Sequence, residues 1–417
     1  MKLYLRTFGC RANQYDSEAV RRLAEAGGAT IVDAPEHADV AVFNSCAVTA
    51  DAVADLRQQV RRAARRNPGL RSVVMGCASG QAADATAPLA ALPTVRALVA
   101  GADLATVAAA IGLDASSPTG TTRQSGARAL LRIQDGCDEH CTFCVATFAR
   151  GANRSRPADA LVAEARALAE HHGEIVLTGV HIGSWGRERG LSLGVLVERL
   201  VRDVANVRFR LTSIEATEVD ERLGELLVGT PGRIAPHLHA PLQSGSDRLL
   251  RRMGRHWYTA ATYATAVERL AARAPVLALG ADVITGFPGE REEDHAATLA
   301  FVRALPFTSL HVFPYSERPG TAAARLPDPV APRIARARAA ELRELASSKS
   351  DAHRRSRAGA AADVVVIARG ESPRGLSEDY LEVELDASAP ARSMRFDATL
   401  VLRDGRLAAE ALEPAPR

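Results

Sequence analysis

Lysine is almost missing from this chain: it occurs only at Lys2 and Lys349, so arginine supplies nearly all of the 52 basic residues. That imbalance reads as genome composition rather than function. A strong excess of either charge is missing as well. With a net charge of +3 over 417 residues, any nucleic-acid surface has to be a local patch and not a global field. No apolar run is long enough to span a bilayer, and the chain opens without a basic-then-apolar leader, so the expectation is a cytoplasmic protein with no membrane partner. Cysteine is scarce, at six residues. That excludes a disulfide scaffold and fits a reducing compartment, where clustered cysteines mean metal or catalysis. A Walker-type phosphate loop, a repeat of solenoid length and a Ser–His–Asp constellation are also absent. What is present is apolar bulk, 47% of the residues and much of it alanine, enough for a sizeable core and two or three domains.

The scarce cysteines are not scattered. Asp135-Gly136-Cys137-Asp138-Glu139-His140-Cys141-Thr142-Phe143-Cys144 packs three of them into eight residues, spaced C-x3-C-x2-C, directly after the strand-like run Ala129–Ile133. Three thiolates at that spacing grip one face of a four-iron, four-sulfur cluster and leave the fourth iron open, which suggests chemistry rather than electron storage. The alternative is a zinc knuckle with His140 or a distant group as fourth ligand, although zinc pairs more usually come as C-x2-C.

Residues 1 to about 112 alternate short apolar strands (Leu3–Phe8, Val40–Phe43, Ser72–Met75, Val95–Val99) with helices from Asp16 to Ala26 and from Asp51 to Arg66. This pattern implies an α/β fold with an open parallel sheet. Cys10, Cys46 and Cys77 each follow one of these strands. Ligands of open parallel sheets bind outside the carboxyl ends of the strands, so the three cysteines are expected at one edge as a second metal site. The alternative is that each is a small buried hydrophobe. Residues 113–128, rich in small polar side chains, read as a linker. Strand candidates then recur at Leu130–Ile133, Ile175–Thr178, Arg208–Thr212, Leu238–Leu242, Leu279–Thr285 and Leu310–Phe313, with helices such as Ala158–His171 and Glu292–Ala304 between them. Six units suggest an open, incomplete β/α barrel whose chemistry sits at the carboxyl ends of its strands. Pro332 to about Arg357 reads as an arginine-rich helix. The remainder, with short β runs at Asp363–Ala368, Tyr380–Leu385 and Ala398–Leu402, suggests a small β barrel of the oligonucleotide-binding kind.

These residues resemble a known family. The Cys137, Cys141, Cys144 loop on the first strand of a six-unit barrel looks like the radical S-adenosylmethionine (SAM) signature. Thr7–Asp16, Asn44–Thr49 and Val74–Cys77 are similar to the auxiliary-cluster domain of the methylthiotransferases, and the C-terminal segment resembles their TRAM domain. Ile175–Gly186, Pro241–Asp247 and Leu310–Ser316 look like the branch acting on threonylcarbamoyladenosine at tRNA position 37. The branches acting on isopentenyladenosine, or on an aspartate of a ribosomal protein, differ at Thr178–His181. Thr147 departs from the pattern, standing where a proline usually follows the third cysteine.

The resemblance implies an auxiliary-cluster domain (1–112), the linker (113–128), a radical SAM core (129–350) and a TRAM-like β domain (351–417). It implies two 4Fe-4S clusters, on Cys137, Cys141 and Cys144 and on Cys10, Cys46 and Cys77. S-adenosylmethionine would bind the first. Thr178-Gly179-Val180 would approach its methionine moiety, the Ile284-Thr285-Gly286 run and Phe313 would bracket its adenine, and Glu215 and Gln243 are candidates for polar contacts or for structural hydrogen bonds. Partners implied are a tRNA anticodon arm, an electron donor of flavodoxin or ferredoxin type and a sulfur source. Arg57, Arg61, Arg62, Arg65, Arg66 and Arg71, with the Arg333–Arg357 helix, are candidates for phosphate contacts, and His181 and Trp185 for contact with the target base. A non-catalytic zinc and RNA-binding protein is the rival from another class.

Overall fold

The computed structural model describes residues 1–47, 49–81, 83–113 and 123–412; most of the expected linker, 114–122, lies outside the described residues. The chain divides into two compact units. The first joins Met1–Thr122 to Gln134–Arg154 and Ser316–Arg325, so the three-cysteine loop belongs to the same unit as the N-terminal domain. The second comprises Arg123–Ile133, Ser155–Tyr315 and Leu326–Arg417. No described helix is long and apolar enough to cross a membrane.

In the first unit, β1 (Lys2–Thr7), β2 (Thr30–Val32), β3 (Val40–Ser45), β4 (Arg71–Gly76) and β5 (Val95–Ala100) form one all-parallel sheet in the order β2-β1-β3-β4-β5. Every residue of β3 is buried, because the sheet is covered on both faces. Val40 and Val42 pack with Val20, Leu23, Val107 and Ile111 of α1 (Arg11–Ala26) and α4 (Leu104–Ile111). Ala41 and Phe43 pack with Leu56, Val60 and Leu89 of α2 (Ala50–Arg66) and α3 (Ala83–Ala90). The first helix begins five residues before the expected Asp16, with Cys10 at its N-cap. Asp16 and Ser17 look like capping residues in the sequence, yet both are buried. Their side chains serve tertiary contacts, Ser17 Oγ accepting from Thr7 Oγ1 at 2.7 Å and from Asn44 Nδ2 at 3.0 Å. The cysteine loop continues into α5 (Ala146–Arg150).

The second unit carries six parallel strands, β6 (Ala129–Arg132), β7 (Glu174–Thr178), β8 (Arg208–Leu211), β9 (His237–His239), β10 (Ala278–Thr285) and β11 (Ser309–Pro314). They fall into two three-stranded sheets, β8-β7-β6 and β9-β10-β11. Bridges Phe209↔Ile234 and Ser213↔His239 carry the run across from β8 to β9. Helices α6 (Ala158–Ala169), α7 (Leu193–Asp203), α8 (Glu221–Gly229), α9 (Asp247–Arg252), α10 (Ala260–Ala271), α11 (Glu292–Ala304) and α12 (Pro332–Ser356) follow the strands. Leu131, Ile175, Phe209, Leu238, Leu279 and Val312 form one core with side chains of these helices. The expected open six-unit arrangement is present.

A closed barrel of five strands completes this unit: β12 (Ala361–Ala368), β13 (Arg374–Leu376), β14 (Glu382–Glu384), β15 (Arg395–Arg403) and β16 (Arg406–Ala411), in the order β12-β13-β14-β16-β15. It has its own core of Val364, Val366, Val383, Leu400 and Leu407. An ionic cluster anchors it to the β/α strands. Arg208 and Arg210, both fully buried, grip buried Glu174 at 2.7 and 2.8 Å. The same guanidinium groups donate to the carbonyls of Asp363, Ser377 and Glu378. Burial opposes the Glu174 charge, but Arg210 and Arg208 hold its carboxyl well below the usual range. Two arginines in an alternating Arg208-Phe209-Arg210 strand thus serve as the interface, a role their sequence pattern does not reveal.

Candidate active site

Cys10, Cys46 and Cys77 stand at the carboxyl ends of β1, β3 and β4, three neighbouring strands. The side chain of Asn13, fully buried on the first turn of α1, lies among them. Its Oδ1 accepts from Cys10 Sγ at 3.3 Å and from Cys77 Sγ at 3.9 Å. Its Nδ2 donates to the Ser45 carbonyl at 2.7 Å and to Asn44 Oδ1 at 3.2 Å, while Asn44 Nδ2 donates back to the Asn13 carbonyl at 2.7 Å. Gly9 has φ +94°, and a Cβ there would lie 2.6 Å from Cys46 Cβ and 2.7 Å from its Sγ. Only glycine fits so close an approach of β1 to the second cysteine.

The three-cysteine loop is held at both ends. Gln134 Nε2 donates to the Gly136 carbonyl at 2.5 Å and to Asn153 Oδ1 at 2.7 Å, and the Cys137 amide donates to Gly151 O at 3.0 Å. Gly136, at φ +73°, packs so tightly on the Ala152 carbonyl that a side chain there would collide with it. Within the loop, the Cys144 amide donates to Cys141 O at 3.1 Å, and the Ala146 amide is aimed at Cys144 Sγ at 3.4 Å. The Ala323 amide donates to Thr142 O at 2.8 Å from the Ser316–Arg325 segment of the same unit.

Arg150, at the end of α5, connects the loop to the strand-end cysteines. It is buried, and its guanidinium reaches Asp16 at 2.8 Å, Asn13 Oδ1 at 3.0 Å, Cys77 Sγ at 3.4 Å and Asp135 Oδ1 at 3.4 Å. Burial works against its charge, yet Asp16, Cys77 and Asp135 more than offset it and keep the arginine protonated. Burial pushes the Cys77 thiol up to about 11, against the pull of Arg150. Neither Asn13 nor Arg150 stood out in the sequence. The usable signal is only proximity, Asn13 lying three residues after Cys10 and Arg150 six after Cys144.

In the second unit, Thr178 is buried at the end of β7, its carbonyl accepting from the Ile133 amide at 2.9 Å. Glu215 follows β8 and is buried; Arg255 Nη2 lies 2.5 Å from both of its carboxylate oxygens. That arginine also donates to Tyr258 Oη at 2.8 Å and lies over the Trp257 ring at 4.8 Å. Burial raises the Glu215 pKa despite Arg255. The carboxylate is therefore already engaged in an ion pair. Gln243 is buried at φ +65°, an uncommon conformation for a non-glycine residue; its amide donates to Asp282 O and its carbonyl accepts from Ile284. Thr285 Oγ1 donates to Ala335 O at 3.0 Å, and Gly286, at φ +70°, is walled by Ala335 of α12. Ile284 stays partly open and Phe313 is 42% exposed. His181 is buried with Nε2 2.8 Å from Glu218, and Trp185, 1% exposed, donates to Arg156 O at 3.0 Å. Both serve packing rather than an open surface.

The arginine helix α12 is largely structural too. Arg338 pairs with Glu290 at 2.9 Å, Arg343 donates to Val312 O and Lys349 to Leu305 O, both at 2.7 Å, and Arg357 pairs with Glu378 at 2.6 Å. A sequence cannot show that these charges face carbonyls and carboxylates across the fold. On α2, Arg61, Arg62 and Arg65 stay exposed, whereas Arg66 pairs with Glu36 at 2.9 Å.

Two family models match the chain: "Uncharacterized protein family UPF0004" over residues 2–100 and the "Radical SAM superfamily" over residues 131–302. The chain is 32% identical over 400 residues to a threonylcarbamoyladenosine tRNA methylthiotransferase, MtaB, of Aquifex aeolicus, covering 92% of this chain and 96% of that one. This chain belongs to the radical SAM tRNA methylthiotransferase family. It is also 34% identical, over 93% of its length and 97% of the other's, to a tRNA-2-methylthio-N(6)-dimethylallyladenosine synthase of Cereibacter sphaeroides. The fold resembles the radical SAM methyltransferase TsrM of Kitasatospora setae, with a TM-score of 0.55 at 16% identity over 75% of this chain and 72% of that one. A radical SAM methylthiotransferase uses S-adenosylmethionine and a 4Fe-4S cluster, and the donors here suit that cluster. Cys137, Cys141 and Cys144 are partly exposed on a pinned loop, and the Ala146 amide supplies the kind of hydrogen bond that tunes a cluster sulfur.

Proposed function

We propose that this chain adds a methylthio group to carbon 2 of N6-threonylcarbamoyladenosine at position 37 of tRNA. In this reading Cys137, Cys141 and Cys144 hold the cluster that binds S-adenosylmethionine, and Cys10, Cys46 and Cys77 hold a second. The observation that carries it is the meeting of Cys10 and Cys77 at the Asn13 amide, with Cys46 against Gly9, in a chain that keeps a separate C-x3-C-x2-C loop. When bound, the first cluster and S-adenosylmethionine supply the one-electron chemistry and the second supplies the sulfur. The protein's own work is placement. Gly9 and Asn13 set the spacing of the strand-end thiols, Arg150 neutralises part of their charge, and the backbone at Thr178-Gly179 with the side chains of Gln243, Ile284 and Phe313 receives S-adenosylmethionine. Arg61, Arg62 and Arg65 on α2 offer phosphate contacts to an anticodon arm. The residue division 1–112, 129–350 and 351–417 is the functional one in this reading, in the cytoplasm, with a flavodoxin- or ferredoxin-type donor and a separate sulfur source.

The substrate choice is supported by the Thr178-Gly179-Val180-His181 turn and by the name of the Aquifex relative. The relatives named for dimethylallyladenosine support a second reading, the isopentenyl-type nucleoside. Nucleoside mass spectrometry of tRNA from a deletion strain separates them. Loss of the methylthio group from threonylcarbamoyladenosine alone is expected. Loss only from the isopentenyl nucleoside moves the substrate, and intact tRNA nucleosides with loss of the methylthio group from a ribosomal-protein aspartate, read by mass spectrometry of that protein, remove tRNA altogether. A colourless protein with stoichiometric zinc at the cysteines after anaerobic purification restores the non-catalytic alternative.

A further inference from the structure

Three polar side chains of the second unit belong neither to the cysteine sites nor to the expected cofactor contacts, yet they converge. They are His239 on β9, Asp282 on β10 and His311 on β11, three adjacent strands. Along β10, Leu279, Ala281 and Val283 enter the helix-packed core, so Gly280, Asp282 and Ile284 face the other side of the sheet. The same alternation sets His239 opposite Leu238, and His311 opposite Leu310 and Val312. Asp282 is the direct register partner of His311, and Gly280 that of His239. Gly280 makes the arrangement possible, since a Cβ there would lie 2.8 Å from His239 Nδ1. With that space free, His239 Nε2 reaches Asp282 Oδ1 at 3.1 Å, and His311 Nδ1 reaches the same oxygen at 3.1 Å. The candidate ligand atoms all lie within 4.8 Å of one another.

We propose that His239, Asp282 and His311 form a binding site for a divalent transition-metal ion of the zinc class, with its remaining coordination positions open. Two imidazoles and one carboxylate make a donor set suited to zinc, iron(II), cobalt or nickel and too rich in nitrogen for magnesium or calcium. The two histidine–carboxylate separations of 3.1 Å suit a four-coordinate ion with bonds of about 2.0–2.1 Å, and hydrogen-bonded strands hold such donors more precisely than loops. The His311 side chain is 63% exposed, against 13% for His239 and 26% for Asp282, so an ion has an entry path and a face open to water or substrate. Phe313, 6.2 Å from the His311 ring, borders that face. The competing arrangement is a hydrogen-bonded His–Asp–His chain without metal. The site does not depend on which nucleoside is modified.

The test uses anaerobically reconstituted holoenzyme, its cysteines occupied by clusters, equilibrated with buffered zinc at micromolar free concentration. Zinc and iron are counted together. Close to one zinc per chain is expected in the wild type, with at least tenfold weaker zinc binding in His239→Gln and His311→Gln at unchanged iron. No zinc in the wild type, or equal zinc in all three proteins, overturns the site. Because a variant that fails to fold also loses zinc, a second measurement uses the wild type alone. Bound zinc is expected to protect His239 and His311 from diethylpyrocarbonate, read by peptide mass spectrometry, and modification at the same rate with and without zinc overturns the proposal equally.

Discussion

At the carboxyl edge of the five-stranded sheet, the buried polar side chains are aimed at sulfur. Asn13 accepts from two thiols, and Arg150 donates to one of them while also meeting two carboxylates. At the carboxyl edge of the six-stranded run, the buried polar side chains are occupied with each other instead: Glu215 with Arg255, Glu290 with Arg338, His181 with Glu218. The two edges thus use their buried polar side chains differently. The first brings polar side chains directly to thiol sulfurs. The second pairs its charged side chains with one another, and in the proposed reading the ligand face falls to backbone, to Gln243 at φ +65° and to the apolar surfaces of Ile284 and Phe313. A charged residue near a strand end therefore means different things in the two units, and substitutions at each edge can test the contrast.

The largest effect is expected at the thiols themselves. Cys77→Ser should lower the iron of reconstituted protein from about eight to about four per chain, one 4Fe-4S cluster's worth, and abolish methylthiolation while leaving reductive cleavage of S-adenosylmethionine. Iron analysis and product assays read both. Iron unchanged from wild type would show that Cys77 is a buried hydrophobe and that the first edge is not a ligand site.

Arg150→Met comes next, because it leaves Asp16 buried without its cation. Removing one partner of a buried pair costs about 3–5 kcal/mol, to be read by urea unfolding of the apoprotein. Lysine cannot reproduce a fork that meets Asp16, Asn13 and Cys77 together, so Arg150→Lys should recover less than half of the loss. Full recovery by lysine would reduce the arginine to a point charge. At the second edge, Glu215→Gln should cost about 3 kcal/mol for the same reason, with S-adenosylmethionine affinity changed less than tenfold. An affinity loss of a hundredfold at unchanged stability would make Glu215 a direct ligand contact and dissolve the contrast.

The two edges were not equally legible in sequence. Short apolar runs bounded by turns placed most of the parallel strands, since a strand buried on both faces, such as Val40–Ser45, carries a continuous signal. The position of Cys10, Cys46 and Cys77, each just after an apolar strand run, placed the first edge. What failed was anything decided by partners distant in the chain. Asp16-Ser17 carries the local signature of a helix start, yet both side chains are used across the fold, and the helix begins at Arg11. The arginines from Arg333 to Arg357 read as candidates for phosphate contacts, but Arg338 and, at the end of α12, Arg357 are buried against carboxylates. His239, Asp282 and His311 lie far apart in sequence on alternating strand positions, and only the strand register brings them together.

The smallest effect is expected where the loop departs from the family pattern. Thr147 is the second residue of α5, directly after Ala146. Amides in the first turn of a helix have no intrahelical acceptor, and proline is tolerated there because its missing N–H removes no bond and its fixed φ suits the helix. The Thr147 carbonyl accepts from the Gly151 amide at 3.0 Å, a contact that proline retains. Thr147→Pro should therefore change stability by less than about 0.5 kcal/mol, the range of substitutions that disturb no packing or hydrogen bond, and leave iron content and S-adenosylmethionine cleavage at wild-type levels. A gain of iron or of cleavage would mean that threonine loosens the Cys144–Ala146 turn. The amide-to-sulfur bond at Cys144 would then depend on the residue that follows it, and the first edge would be less rigid than its hydrogen bonds imply.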